Sequence, residues 1–310
     1  MSSKIVIFGA GGVGGYFGAR LAAAGNDVTF LARGPHFEAM RSHGLRLLSP
    51  LGDLSLPEAK VVDRADQIKR ADFVFLTVKI WDTEQCLPQL VPLVEGGAAV
   101  ISFQNGVQKD ELLLKVLPKA SVMGGVSYIS AAIEEPGVIR HFGPIQTLVF
   151  GEFDGRHSPR ALELLGACES AGIEARISAE IEREIWEKFV FLVGLSATTA
   201  TMRRPIGAIR SNAQTRRFLL DVMQETVSVG RARGVALAED YAEKRLEFCD
   251  TLPPGMTASM YQDLLRGNRL ELPWLSGSVA ELGENTGIPV PRNRAVTDIL
   301  ALHVDGNKTE

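Results

Sequence analysis

Long hydrophobic runs are missing from this sequence. No stretch of about 18 uncharged apolar residues occurs in it, so no segment reads as a transmembrane helix. The opening "MSSKIVIFGAGG" has no signal-peptide apolar core, because glycine interrupts the run at once; the default expectation is a cytoplasmic protein. Cysteine is scarce. The three present, Cys86, Cys168 and Cys249, are far apart, odd in number and form no CxxC pair. That argues against a disulfide framework and for buried apolar thiols in a reducing compartment. No basic excess exists: 33 Lys and Arg against 37 Asp and Glu leave a net charge of -4, which excludes a general nucleic-acid binder or a basic membrane patch. The five histidines, His36, His43, His141, His157 and His303, show no metal-ligand spacing, and HExxH is absent, so no metal is expected. Neither a G-x-S-x-G elbow nor a GxxxxGK[ST] loop is present, which removes serine hydrolysis and P-loop nucleotide hydrolysis. No internal repeat or low-complexity linker is seen. "NKT" at Asn307 matches a glycosylation sequon and is read as chance, in a tail, "DGNKTE", expected to fray.

What is there begins at Lys4. A length of 310 residues is comfortable for two domains. Lys4 to Phe8 is a β-branched, apolar run that fits a buried parallel strand. Gly9, Gly11 and Gly14 follow as G-x-G-x-x-G, within Gly9-Ala10-Gly11-Gly12-Val13-Gly14. Gly9 permits the tight turn, Gly11 lets the backbone approach a pyrophosphate, and Gly14 lets the helix lie close to the strand. A helix from Val13 to Ala24 aims its open N–H groups at the phosphates. A second strand, "DVTFLA", follows at βαβ spacing. A lone GxGxxG can also be a plain glycine turn; in this context it points to dinucleotide binding. The second strand runs out to Arg33, where NAD-binding units carry an acid for the ribose 2′-hydroxyl. An arginine suits a 2′-phosphate, so the cofactor expected is NADPH/NADP+, with a solvated surface arginine as the alternative.

"ADFVFLTVKI" reads as a strand from Ala71 to Ile80 that carries Lys79 to the crevice-facing end. Asp82 and Thr83 follow near a helix start. "AAVISFQNGV" reads as a strand with Gln104, Asn105 and Gly106 at its C-terminal end, where Asn-Gly is also a common turn. "SVMGGVSYISAAIEEPGVIRHFGP" reads as two strands turning at "EEPG", "TLVFGE" as a further strand, and "SPRALELLGACESAGIEARIS" as a helix and an edge strand. The sheet ends near Ser178. From Ala179 helical periodicities dominate. Five long helix candidates and a short last one follow, one of them "LPWLSGSVAELGENTG" with Pro273 near its start and Gly287 past its end. The division expected is therefore 1–178, an α/β dinucleotide-binding domain, and 179–310, an all-helical domain. Within the second, Lys188 lies among apolar and aromatic neighbours in "IWEKFVF" and shares a face with Leu192 and Ser196; Glu271 lies in "NRLELPWLSG". A buried pair of such charges is costly without a task, while two exposed charges remain the plain alternative.

The order GAGGVGG, VK, QNG, WEK and SMYQD followed by an acid resembles the 2-dehydropantoate 2-reductase (ketopantoate reductase) family, over almost the whole chain. The resemblance implies a Rossmann-type N-terminal domain joined to an all-helical domain, with the active site in the cleft between them. It implies reduction by NADPH of 2-dehydropantoate to (R)-pantoate, toward pantothenate and coenzyme A. By the same resemblance, Lys188 matches the catalytic lysine that polarises the keto oxygen and supplies the proton, and Glu271 the acid that orients that site and contacts substrate or cofactor. Asn105 matches the amide near nicotinamide and substrate, Ser259 the serine holding the substrate carboxylate, Lys79 a lysine contacting cofactor and substrate, and Arg33 the 2′-phosphate arginine.

The sequence also departs from the family. Asparagines one and two turns after the catalytic lysine are here Leu192 and Ser196, and one three residues before the serine is Met256. Either Ser196 and the backbone take over the substrate contact, or the substrate is a different, more apolar 2-keto acid. Two other readings stay open: a 3-hydroxy acid dehydrogenase of the 6-phosphogluconate-dehydrogenase-like group, and a non-catalytic NADP(H) sensor. The expected partner is a small-molecule 2-keto acid, with no nucleic acid and no membrane; the apolar helical half leaves a homodimer open.

Overall fold

The computed structural model describes residues 2–307; the last three residues, including the Thr309 of the Asn307 sequon and the end of the tail expected to fray, lie outside them. The chain divides into two compact units. One runs to Gln104 and resumes over Lys109–Glu184; the other takes Asn105–Gln108 and resumes at Ile185.

The first unit contains β1 (Lys4–Phe8), α1 (Gly12–Ala23), β2 (Asp27–Leu31), α2 (Gly34–His43), β3 (Leu45–Leu48), β4 (Leu54–Leu56), β5 (Lys60–Val62), β6 (Phe73–Leu76), α3 (Thr83–Glu95), β7 (Ala99–Ser102), α4 (Lys109–Leu114), β8 (Val122–Glu135), β9 (Val138–Gly151), α5 (Pro159–Ser170) and β10 (Glu174–Ile177). The strands lie in the order β4-β3-β9-β8-β7-β6-β1-β2-β5, with β10 also on β9. Around β1 all pairings are parallel: β2 on one side and β6 on the other, then β7 beyond β6. Alternate residues of β1 serve opposite faces. Ile5 and Ile7 join Tyr16 and Phe17 of α1 and Leu164 of α5; Val6 and Phe8 join Leu87 and Leu90 of α3. Helices on both faces make the doubly wound arrangement, and this is why Ile5 to Phe8 of β1 are all apolar and buried.

Several local expectations are revised. The strand expected to reach Ile80 ends at Leu76, so Lys79 sits in the turn beyond it, ahead of the short 3-10 helix Ile80–Asp82. The strands expected on either side of Gly143-Pro144 are one strand, β9, running on to Gly151. Its register jumps from Ala131↔His141 to Ile129↔Gln146, so residues 142–145 bulge out opposite Ser130 and absorb the glycine and proline. The short strands β3, β4 and β5 carry no legible pattern of their own.

The second unit is helical: α6 (Ile181–Met202, in this unit from Ile185), α7 (Ile206–Ser211), α8 (Ala213–Ala232), α9 (Tyr241–Thr251), α10 (Ser259–Leu265), α11 (Ser276–Thr286) and α12 (Pro291–Leu300). Trp186, Phe189, Val190 and Val193 of α6 form the spine of its core with Leu219, Val222 and Met223 of α8. The single helix expected over 272–287 is two pieces. A 3-10 turn, Leu272–Trp274, stops at Leu275 (φ -109, ψ -105) before α11 begins. The described part of the tail is tied down: the Leu270 N–H donates to the Val304 carbonyl at 2.8 Å and the Asn307 N–H to that of Gly267 at 2.8 Å. No helix among the described residues is long and apolar enough to cross a membrane.

Candidate active site

The dinucleotide cradle is built from the end of β1. Gly9 has φ +110, and a Cβ there would lie 2.6 Å from the Val78 nitrogen, so only glycine makes this turn. Thr77, just past β6, donates its hydroxyl to the Gly9 carbonyl at 2.7 Å and steadies it. A Cβ on Gly14 would lie 2.3 Å from the Gly9 oxygen, and one on Gly12 2.2 Å from the Ala131 oxygen of β8. These two glycines let α1 sit close against the sheet. Gly11 differs: a Cβ there meets nothing within 4 Å. The space above it is open, as a phosphate-cradling turn requires, and the first-turn amides of Gly12, Val13 and Gly14 have no intrahelical acceptors. The loop therefore fits a dinucleotide pyrophosphate.

Arg33 precedes α2, and its side chain is 79% exposed. Its Nη2 meets Asp82 Oδ2 at 2.5 Å. Lys79 is exposed, with its ammonium 5.4 Å from the centre of the Trp81 ring, a cation–π contact. His36, in α2, is buried; its Nδ1 accepts the Gly137 N–H at 3.0 Å, which leaves the proton of the neutral ring on Nε2. Burial holds its pKa below the ordinary 6.5, the Ala10 carbonyl opposing.

Gln104 is buried and ties strand ends together. Its Nε2 donates to the Val78 carbonyl (2.9 Å) and to Thr83 Oγ1 (2.8 Å), and its Oε1 accepts from Ser102 (2.9 Å). The next residue, Asn105, belongs to the second unit and joins two groups there. Lys188 Nζ donates to Asn105 Oδ1 at 3.0 Å, and Asn105 Nδ2 donates to Glu271 Oε2 at 3.4 Å. Since the ammonium only donates and the carboxylate only accepts, the partners fix which end of the amide faces which. Glu271 is buried, and Lys188 and Asn105 are half-buried. Ser259, the first residue of α10, is exposed. Ser196 is 1% exposed, and its Oγ is enclosed without a hydrogen-bond partner, so it is turned into the helical core. Leu192 and Met256 are half-buried at the margin of that core.

Two features escaped the sequence reading. Asp82 is the acid that meets Arg33, although it lies 49 residues further on. Lys109 and Asp110, both buried, pair at 3.0 Å, and the Lys109 ammonium also donates to the Ser102 carbonyl at 2.8 Å. Burial depresses the lysine's pKa and raises the aspartate's, each partner opposing the other's shift. Among the described residues no cluster of His, Cys, Asp or Glu could hold a metal.

Known proteins resemble this chain over nearly its whole length. The family profile described as ketopantoate reductase PanE/ApbA matches residues 5–155, and the profile of its C-terminal part matches residues 180–303. A 2-dehydropantoate 2-reductase from Halobacterium salinarum is 31% identical over 96% of this chain and 98% of its own. A PanE/ApbA family ketopantoate reductase from Ralstonia eutropha superposes with a TM-score of 0.88 at 31% identity, covering 97% of this chain and 98% of that one. A D-mandelate dehydrogenase shares the fold, with a TM-score of 0.87 at 20% identity over 97% and 98%. The class is that of NADPH-dependent oxidoreductases with a Rossmann-type N-terminal half and a helical C-terminal half. Within it, this chain belongs to the ketopantoate reductase family.

Proposed function

We propose that the protein reduces the ketone of a 2-keto acid, with 2-dehydropantoate going to (R)-pantoate as the first substrate to test. The observation that carries this is the Lys188–Asn105–Glu271 chain. When bound, NADPH supplies the hydride. The Lys188 ammonium hydrogen-bonds the keto oxygen, stabilises the negative charge that develops there and gives that oxygen its proton. Asn105 fixes the ammonium's direction, and the Glu271 carboxylate fixes Asn105. Ser259 offers its hydroxyl to the substrate carboxylate. The backbone of residues 9–14 cradles the pyrophosphate, and Arg33 takes the 2′-phosphate. Relatives named 2-dehydropantoate 2-reductase support this substrate.

A second reading is favoured by Leu192 and Met256. Both are apolar, and Ser196 is turned into the core. These side chains suit a branched 2-keto acid that lacks the hydroxyl of 2-dehydropantoate. The test is NADPH consumption by the purified protein with 2-dehydropantoate beside a panel of apolar branched 2-keto acids, with Lys188→Ala as control. Turnover of 2-dehydropantoate that the variant loses supports the first substrate. Faster turnover of an apolar keto acid moves the assignment to the second. NADPH binding without turnover of either overturns both.

A further inference from the structure

Arg33 and Asp82 lie beyond the C-terminal ends of the two strands that flank β1. Arg33 follows β2, and Asp82 follows β6 at the end of the short turn Ile80–Asp82. Since β1 pairs with β2 on one side and β6 on the other, their salt bridge crosses the C-terminal end of β1, where the glycine-rich turn leaves the sheet. The pair is unequal in exposure. The Arg33 side chain is 79% exposed, whereas that of Asp82 is 15% exposed. The acid is seated and the guanidinium reaches to it.

In dinucleotide-binding sheets an arginine at this place accommodates a 2′-phosphate and an acid holds a ribose 2′-hydroxyl. This chain has both, in contact. We propose that Asp82 sets the selectivity between NADPH and NADH: its carboxylate competes with the 2′-phosphate for Arg33 and accepts the ribose 2′-hydroxyl when the phosphate is absent. The proposal rests on the dinucleotide reading of the glycine-rich turn. The guanidinium has five donors, so one edge can stay on Asp82 while the other meets the phosphate. NADPH therefore still binds, but beside a second anion on the same cation. For a phosphate of charge near -2 about 6 Å from a carboxylate in a water-exposed site, that repulsion is worth on the order of tenfold in affinity. NADH escapes it and gains an acceptor for its hydroxyl.

The test is binding, not turnover. The full chain is titrated with NADPH and with NADH, following nicotinamide fluorescence, as wild type, Asp82→Asn and Arg33→Ala. The wild type is expected to prefer NADPH by less than about 100-fold. Asp82→Asn should tighten NADPH by about tenfold without tightening NADH, and Arg33→Ala should weaken NADPH while sparing NADH. The Asp82 side chain makes no cap hydrogen bond to α3, so the variant should melt with the wild type; Asp82→Ser is the second variant. Weaker NADPH binding in both Asp82 variants, or affinities unchanged for both dinucleotides, overturns the proposal and leaves the dinucleotide reading standing. Wild-type protein that binds neither dinucleotide overturns both.

Discussion

The Lys188 ammonium donates to Asn105 Oδ1 at 3.0 Å, and the other end of the same amide reaches Glu271 at 3.4 Å. A single side chain thus aims the cation and is itself held by the anion. Groups linked in this way act as a unit, and their losses do not add. Asn105→Ala should lower kcat by about 10²-fold or more, the range seen when one preorganised polar group is removed from a reacting centre. Lys188→Ala should cost more, and the double variant no more than Lys188→Ala alone. Steady-state kcat for the three variants checks this. A double-variant loss equal to the product of the singles would mean that the two residues act independently.

The glycines of the turn separate into two kinds. Gly14→Ala places a Cβ 2.3 Å from the Gly9 oxygen, which α1 or β1 must move to relieve; overpacking of this sort costs about 1–3 kcal/mol. Gly11→Ala meets no protein atom within 4 Å. Thermal melts paired with NADPH titrations should therefore show Gly14→Ala with a lowered Tm. Gly11→Ala should melt near the wild type and yet bind NADPH at least tenfold more weakly. Equal melting losses in both would mean that the space above Gly11 has no connection with a ligand.

Those glycines were legible because the fingerprint is local: an apolar strand, three spaced glycines, a helix and a second strand, all within about thirty residues. The apolar faces of α6 and α8 were legible by periodicity for the same reason. What escaped depends on distance or direction. The nearest acid after β2 along the chain is Glu38, but the acid that meets Arg33 arrives from the turn beyond β6. Lys109 and Asp110 are chain neighbours, and neighbours on a helix do not face each other. Here Lys109 opens α4, and the ammonium turns back to the Ser102 carbonyl and the adjacent carboxylate. Gly143-Pro144 looked like a strand end because a bulge is invisible until the partner strand is in place.

His36 makes stability depend on pH in a definite sense. Burial lowers its pKa in the folded chain below 6.5, so the unfolded chain binds more protons as the pH falls. Its contribution is fully present above the unfolded value and is lost as the pH falls through the folded one. His141 acts in the same direction, burial again lowering its pKa. The slope is at most about 1.4 kcal/mol per pH unit for each histidine. His36→Asn keeps an acceptor for the Gly137 N–H and removes the titration. Urea midpoints measured from about pH 7 to about pH 5 should fall more steeply for the wild type than for the variant. Parallel curves would mean that His36 is protonated in the fold without penalty.

Leu192 is a position at which the choice of 2-keto acid can be tested. It lies one helical turn beyond Lys188 on α6, half-buried at the edge of the helical core, where it can offer a substrate only apolar contact. An apolar surface discriminates weakly against an added hydroxyl, by about 10²-fold, whereas a site built to hydrogen-bond that hydroxyl rejects its absence by about 10⁴-fold. Leu192→Asn therefore changes the demand made of the substrate. Its kcat/KM for 2-dehydropantoate should rise relative to that for an apolar branched 2-keto acid, by tenfold or more in the ratio. Because Leu192 is only half-buried, the amide can keep its polar end in water, and the variant should fold. Met256→Asn should move the ratio the same way if it faces the same substrate group. A ratio that stays fixed in both variants would mean that the hydroxyl is read elsewhere, and that Leu192 and Met256 serve only to pack the helical unit.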